Sequence, residues 1–363
     1  MRRRAHFESD FNRYTDIQYA ALSGQVGYLR RILENGGHID GFGVVGYTAL
    51  QLACKKSNEE IIDTILDFKP DLNIRCIENT TTLNIFIENF PLNERLLKRF
   101  LEEGADPNIP NFRGRTALHV ATSDLEGVHY DEYIRLLLQY KANMQLKDRS
   151  GHTPLHLAIS KGHHSAVTIL LQNGADIDNE NLEGHTELDM AILKKTDYPQ
   201  VLQQIVEHHI IQHVGKKLDI PEEVKVLCEK EEYTSFKDRC HSELEKMKNV
   251  TVGDSTATYY DIFVLPPNAL AKKLSKSFAP NIVQSFYEFD TELFPIFGEY
   301  MFPNFQAGFE RFKAIGVGHA FWRRIYPEIA ELCIDNINFF LTNEDLENLQ
   351  RVFHKCCEWK LKL

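Results

Sequence analysis

The sequence predicts an all-α protein in which a solenoid of helix pairs is followed by a smaller helical domain. Threonines recur through the N-terminal half at intervals of 33, 33, 35, 37 and 33 residues, at Thr15, Thr48, Thr81, Thr116, Thr153 and Thr186. A common pattern surrounds them and is clearest at residues 114–121 and 151–158. The period is lost near residue 214, where an aromatic-rich segment with helical spacing begins.

The repeated pattern reads Thr-Pro-Leu-His-Leu-Ala at residues 153–158 and Thr-Ala-Leu-His-Val-Ala at residues 116–121. With a period near 33 it resembles the ankyrin repeat, which implies a hairpin tip followed by two antiparallel helices. We therefore expect an ankyrin-repeat array over residues 1–214. Its six repeats would lie near 15–47, 48–80, 81–115, 116–152, 153–185 and 186–214.

Residue types explain the ends of the predicted helices. Thr153 can cap a first helix, and Pro154 follows at the first helical position, where a missing N–H costs nothing. The second helices should end at residues in the left-handed conformation, which glycine adopts without strain. Three glycines and two lysines occupy this position: Gly36, Lys69, Gly104, Lys141 and Gly174. A lysine costs about 1 kcal/mol there, so we expect those two junctions to be looser.

The six copies are unequal. The copy at Thr15 is degenerate, as expected of a polar N-terminal cap. The copy at Thr81 is weak and carries Phe86 where the others have an inward alanine, so we expect the array to flex there. The 37-residue interval indicates extra residues near 123–128, between the two helices of that repeat. Residues 202–214 are expected to form the closing helix.

The hairpin tips are the expected target-binding positions, because ankyrin arrays bind partners through tips and first helices. The tip residues are mostly apolar where solvent exposure is expected: Val44, Ile77, Phe112, Arg113, Arg149 and Leu182. Exposed apolar rows often mark an interface. The alternative is that these side chains pack on one another. Phe112 and Arg149 are the expected anchors, since aromatic and arginine residues dominate binding hot spots.

The histidines of the array are interpreted as structural residues and not as catalytic groups. His119 and His156 are expected to hydrogen-bond the loop of a neighbouring repeat. His209 and His213 have a spacing that suits a metal, but no third ligand is apparent, so an exposed helix face is favoured. No phosphate-binding loop, zinc-protease motif or nucleophile motif occurs. A non-enzymatic protein without metal or cofactor is expected.

Composition favours an intracellular protein that is cytoplasmic, nuclear or both. The net charge of −11 argues against nonspecific binding to nucleic acid or to an anionic membrane. No apolar run approaches the roughly 18 residues that a membrane-spanning helix requires. The seven cysteines are irregularly spaced and include no Cys-x-x-Cys, which indicates neither a disulfide framework nor a zinc site.

Residues 215–237 are charge-rich and are expected to be a linker or helix, and a compact helical domain should follow over 238–356. Three segments of this domain are similar to the PRANC domain of poxvirus-type ankyrin proteins. They are residues 240–248 with 253–262, the Phe-Pro-Ile-Phe sequence at 294–297, and residues 329–346.

The last of these segments resembles an F-box, which implies docking on a Skp-type adaptor of a cullin–RING ubiquitin ligase. The residues expected to dock form an apolar helical stripe and the start of a second helix: Ile329, Leu332, Cys333, Ile337, Phe340, Leu341, Asp345 and Leu346. The usual Leu-Pro opening of an F-box is Ile329-Ala330 here. The stripe is therefore either an adaptor-docking surface or part of the core of the domain.

The favoured function is a non-enzymatic adaptor whose array captures a target protein and whose C-terminus couples that target to a ubiquitin ligase. The alternative is an ankyrin scaffold or inhibitor that masks its target, such as a transcription or immune regulator, without ligase coupling. An enzyme is the third and least favoured possibility.

Overall fold

The computed structural model describes residues 15–43, 46–90, 93–123, 131–216, 221–229, 231–251, 257–266, 269–271, 294–297, 300–301, 303–304, 306–308 and 311. These residues are helical or irregular and include no strand beyond one isolated antiparallel bridge between Thr251 and Thr258. The prediction of an all-α fold is confirmed. The chain divides into two compact units, Met1–Ile205 and Val206–Leu363.

The first unit consists of helix pairs that follow the threonine period. The inner helices, which begin after the repeated threonines, are α1 (Asp16–Ser23), α3 (Ala49–Lys55), α5 (Thr82–Asn89), α7 (Ala117–Ser123), α9 (Pro154–Lys161) and α11 (Glu187–Leu193). The outer helices are α2 (Val26–Glu34), α4 (Glu59–Leu66), α6 (Glu94–Glu102), α8 (Asp131–Gln139), α10 (His164–Gln172) and α12 (Pro199–Lys216). Each inner helix packs against the inner helix of the next repeat. The division between the two units lies within α12.

The repeated threonines begin the inner helices for the reason that the sequence suggested. Thr15, Thr48, Thr153 and Thr186 are N-caps whose side chains accept the backbone N–H three residues later, and the side chain at that position returns a bond to the backbone of the cap. Thr81 also precedes its helix but makes no side-chain cap hydrogen bond. Its hydroxyl is buried and has no hydrogen-bond partner.

The inward alanine of each repeat allows close packing of neighbouring inner helices. The alanines five residues after the cap are buried: Ala20, Ala53, Ala121, Ala158 and Ala191. Phe86 occupies this position in α5 and is also fully buried. Its ring lies 5.0–6.2 Å, centroid to centroid, from those of Phe90, Phe100 and Tyr133. The larger side chain therefore builds an aromatic cluster between the third and fourth repeats.

The outer helices of the second and third repeats are also joined by charge. Arg99 on α6 donates to Asp63 at 2.7 Å, to Asp67 at 2.9 Å and to Glu103 at 2.8 Å. Arg95 adds a second contact to Asp63 at 2.8 Å. Partial burial raises the pKa of the Asp63 carboxyl, but hydrogen bonds and charges from the two arginines outweigh this effect, and its pKa lies below the ordinary value.

The ends of the outer helices are as predicted. Gly36, Gly104 and Gly174 have φ of 80°, 99° and 84°, and Lys69 and Lys141 adopt the same left-handed region with φ of 55° and 63°. Looseness at the two lysine junctions stays a prediction. Helix α7 ends at Ser123 and α8 begins at Asp131, so the extra residues of the long interval fall between the two helices of that repeat. Residues 124–130 themselves lie outside the described residues.

The described helices of the second unit are the C-terminal part of α12, α13 (Glu222–Cys228), α14 (Glu231–Asn249) and α15 (Tyr259–Val264). Thr258 caps α15 through a reciprocal pair of hydrogen bonds with Asp261. The side chain of Glu243 on α14 is buried, and its Oε1 accepts the backbone N–H groups of Ile296 and Phe297, each at 2.9 Å. The carboxylate thus satisfies one buried and one partly buried backbone donor.

Candidate protein-interaction surface

Three of the hairpin tips are shaped by one side chain at their base. Asn111, Asp148 and Asn181 each accept, through Oδ1, the backbone N–H groups of the residues two and four positions later, at 2.8–3.1 Å. Such Asx turns fix a tight backbone without help from other elements. Cys76 holds the equivalent position in the tip that leads to Thr81 and offers no oxygen. That tip therefore lacks a side-chain oxygen that accepts these two backbone N–H groups.

Adjacent tips are joined through their backbones. The N–H of Arg149 donates to the carbonyl of Arg113, and the N–H of Leu182 donates to that of Ser150, both at 3.0 Å. Contact is so close that a Cβ at Gly114 would lie 2.8 Å from the nitrogen of Arg149. Glycine is required there, both by this approach and by its φ of 77°.

The side chains at the predicted binding positions remain exposed although their backbones pack together. Ile77 is 73% exposed, Phe112 46% and Leu182 77%. Arg113 and Arg149 are exposed as well. Val44 lies outside the described residues. The structure thus leaves an apolar side chain exposed to solvent on each of the tips of Ile77, Phe112 and Leu182, and a row of such side chains often marks an interface.

The third and fourth tips, residues 109–115 and 146–152, are cationic. Arg113 lies 5.3 Å above the ring of Phe112. Arg115 is paired with the buried Asp148 at 3.4 Å. Among the described residues, no carboxylate lies within ion-pair distance of Arg113 or Arg149, so both guanidinium groups are available to a partner.

Beneath the tips runs a row of polar side chains, which we call the polar ladder. Each residue three positions after a repeated threonine, in the first five copies, directs an N–H group toward a backbone carbonyl of the next hairpin. These contacts are Gln18 to Tyr47 at 2.6 Å, Gln51 to Ile74 at 2.9 Å, Asn84 to Ile109 and Arg115 at 3.4 Å, His119 to His152 at 3.0 Å, and His156 to His185 at 3.2 Å. In the last copy the residue is Asp189, which has no side-chain N–H to donate.

The structural interpretation of the two repeat histidines is confirmed. Nδ1 of His119 accepts the backbone N–H of Thr116 at 3.2 Å, which leaves Nε2–H to donate to the next hairpin. Burial is the main cause that lowers the pKa of His119 to about 4. His156 makes the same contacts and also lies 3.1 Å from the buried Glu187. Both rings join neighbouring repeats and are closed to substrate.

The expectation of an exposed helix face at His209 and His213 is wrong for His209, which is only 6% exposed. His213 is half-buried. His208, next to His209, is buried against the ring of Tyr300, and burial lowers the pKa of His208 to about 3. No group of three or more side chains that could hold a metal occurs among the described residues.

Segments that carried the PRANC-like resemblance contact one another in the second unit. Glu243 belongs to the first segment, and it accepts hydrogen bonds from the backbone of the 294–297 segment. The rings of Tyr259 and Phe294 lie 4.8 Å apart, and those of Phe263 and Phe297 lie 5.1 Å apart. Among the described aromatic residues of these segments, Phe263, Phe294 and Phe297 are buried, whereas Tyr259 is partly exposed.

The F-box-like positions fall on a part of the chain that is not described. Ile329, Leu332, Cys333, Ile337, Phe340, Leu341, Asp345 and Leu346 all lie outside the described residues. Within the described part of the chain, no helix has both the length and the apolar character needed to cross a membrane.

Comparison with known families agrees with the repeat geometry. Residues 83–181 match the family described as ankyrin repeats (3 copies), and residues 45–74 match the family described as ankyrin repeat. The chain therefore contains ankyrin repeats, a fold that typically serves protein interaction and not catalysis. Neither match extends into the second unit.

The similar proteins share only a part of this chain. Human ankyrin repeat and SOCS box protein 6 is 33% identical over 113 residues, which are 30% of this chain and 27% of that protein. A putative ankyrin repeat protein of Rickettsia felis is 32% identical over 37% of this chain and 62% of its own length. The E3 ubiquitin-protein ligase KEG of Arabidopsis thaliana is 32% identical over 30% of this chain and 7% of its own.

The chain thus spans less than two thirds of the length of these relatives. Among solved structures, EF0377, an ankyrin repeat protein, is similar to this chain with a TM-score of 0.47 and 24% identity. The similarity covers 53% of this chain and 98% of that protein.

Proposed function

We propose that this protein is a non-catalytic adaptor that captures a target protein on its hairpin tips and couples the target to a Skp/cullin-type ubiquitin ligase through its C-terminal part. The observation that carries target capture is the row of exposed tip side chains Ile77, Phe112 and Leu182. Beside them lie Arg113 and Arg149, for which the described residues provide no carboxylate at ion-pair distance. Such a combination is typical of binding hot spots.

Ligase coupling is supported by the F-box-like pattern at residues 329–346 and by the partial similarity to a protein named as an E3 ubiquitin ligase. In this proposal the chain needs no catalytic residue, because the ligase supplies the chemistry. The second candidate function is a scaffold or inhibitor that masks its target without a ligase. It is favoured by the departure from the F-box pattern at Ala330, where a proline is usual.

Co-purification of the full chain with a Skp-type adaptor separates the two functions. Ligase coupling predicts a complex that the double substitution Leu341→Asp and Leu346→Asp abolishes, while the thermal transition of the ankyrin array is unchanged. If no complex with the adaptor forms at micromolar concentration, ligase coupling is excluded and the masking function is favoured.

Target capture is tested with the tip residues. Proteins cross-linked to the full chain in cells should be lost when Phe112 and Arg149 are both replaced by alanine, without a change in melting temperature. Arg135 is exposed and belongs to the outer helix α8 and not to a hairpin tip, so Arg135→Ala is the matched control. Equal recovery of the same proteins by all three chains would exclude the tips as the binding surface.

A further inference from the structure

The exposed charge of the third and fourth tips is opposite in sign to that of the whole chain. The chain carries a net charge of −11. These two tips carry Arg113, Arg115, Lys147 and Arg149 against a single carboxylate, Asp148. Asp148 is buried and is already occupied by backbone N–H groups and by Arg115. The charge that a partner meets on these two tips is therefore cationic only.

Arg113 and Arg149, which have no carboxylate within ion-pair distance in the described part of the chain, lie on adjacent tips. The N–H of Arg149 donates to the carbonyl of Arg113, which fixes the two residues side by side. The stem of Arg149 also crosses the preceding tip, since a Cβ at Gly114 would lie 3.2 Å from its Cγ. Exposed guanidinium groups therefore extend from two neighbouring tips, and each can bind a carboxylate with two parallel hydrogen bonds.

Apolar side chains flank this cationic pair along the row of tips. Ile77 and Phe112 lie on the two tips before Arg149, and Leu182 lies on the tip after it. The tip of Leu182 also carries the exposed Glu180 and Glu183, which limits the cationic stretch to two tips. A short anionic stretch between apolar side chains fits this pattern, whereas a long polyanion would meet the two glutamates.

From this pattern we infer that the tips bind an extended acidic protein segment. Its carboxylates lie against Arg113 and Arg149, and its apolar side chains lie against Phe112 on one side and Leu182 on the other. This inference rests on the proposed function, because it names the chemistry of the target that the tips capture. A nucleic acid, the other anionic class, is disfavoured by the apolar flanks and by Glu180 and Glu183.

The test uses a display library of random 12-residue peptides selected against the full chain. The inference predicts that the recovered peptides are enriched in Asp and Glu beside aromatic or aliphatic residues. The best of them, made synthetically and labelled, should bind at least tenfold more weakly to the chain carrying Arg113→Glu and Arg149→Glu, and more weakly at high salt. The control Arg135→Glu reverses the charge of one exposed arginine on the outer helix α8 and should leave the affinity within twofold.

A second selection against the charge-reversed chain should recover peptides rich in Lys and Arg. Recovery of peptides without acidic enrichment, or of acidic peptides indifferent to the reversal, overturns the inference. If such peptides still depend on Phe112, target capture by the tips stands and only the acidic chemistry fails. If no peptide depends on any tip residue, the proposed function fails too. Displacement of the peptide by a 20-nucleotide single strand at equal concentration would assign the surface to nucleic acid instead.

Discussion

Different contacts stabilise the repeat that begins at Thr153 and the repeat that begins at Thr81. The hydroxyl of Thr153 accepts the N–H of His156 and lies 3.1 Å from Glu187, and His156 reaches the next hairpin at 3.2 Å. In the other repeat, the hydroxyl of Thr81 has no partner, and Asn84 reaches the next hairpin only at 3.4 Å.

The Thr81 repeat is stabilised instead by aromatic and ionic contacts near its outer helix, α6. Phe86 anchors the aromatic cluster with Phe100 and Tyr133, and the hydroxyl of Tyr133 accepts the backbone N–H of Asn93 at 2.6 Å. Arg99 links α6 to α4 through Asp63 and Asp67. The difference shows that one repeat frame can be stabilised either by polar contacts beneath the tip or by an apolar and ionic cluster behind it.

The largest expected effect comes from removing the aromatic cluster with Phe86→Ala. The side chain is fully buried, so we expect the free energy of unfolding to fall by about 3–5 kcal/mol. Urea denaturation followed by circular dichroism measures the loss. Phe112→Ala removes the same group from an exposed tip and should change stability by no more than about 0.5 kcal/mol. A loss below about 1 kcal/mol at Phe86 would mean that the repeat does not depend on this cluster.

Much of this comparison was visible in the sequence. The threonine period predicted the helix starts, and the unusual Phe86 marked the Thr81 repeat as different. The partners of Phe86 were not predicted, because Tyr133 belongs to the next repeat, and a period says nothing of which side chains fill the space between repeats. The polar ladder left a readable signal as well: a polar residue follows every repeated threonine by three positions.

Prediction was less complete outside the period. His209 was interpreted as exposed because helical spacing alone does not show which elements cover a face, and the structure buries it. At the tips, spacing indicated which side chains point outward but not that the backbones pack on one another. The role of Glu243 was missed, since a single acidic residue in a charge-rich helix gives no sign that it accepts backbone N–H groups 53 and 54 residues later.

A smaller effect separates the two threonines themselves. Thr153→Ala removes a helix cap that also contacts Glu187 and should cost about 1–2 kcal/mol. Thr81→Ala removes a hydroxyl that has no hydrogen bond in the buried state, so we expect a change within about 0.5 kcal/mol or a slight gain. Urea unfolding of the two variants in parallel measures the difference. An equal loss of unfolding free energy in the two variants would show that the hydroxyl of Thr81 forms a hydrogen bond in solution. The two repeats would then not differ at this threonine.

The smallest effect is expected from adding a side-chain hydrogen-bond acceptor at position 76, in the tip that leads to Thr81. Cys76→Asn places a side-chain oxygen where Asn111 and Asn181 hold theirs, and the three positions are equally buried, at 5–6% exposure. The new Oδ1 would accept the N–H groups of Glu78 and Thr80, which should stabilise the array by about 0.5–1 kcal/mol.

Urea unfolding measures the gain, and amide hydrogen exchange should slow at Glu78 and Thr80 in particular. Cys76→Ala is the matched control, because it removes the thiol without supplying an acceptor and should be neutral or destabilising. If the asparagine and alanine variants lose stability equally, this tip does not take the backbone geometry of its neighbours. The weakness of the Thr81 repeat would then lie in the hairpin itself and not in one absent oxygen.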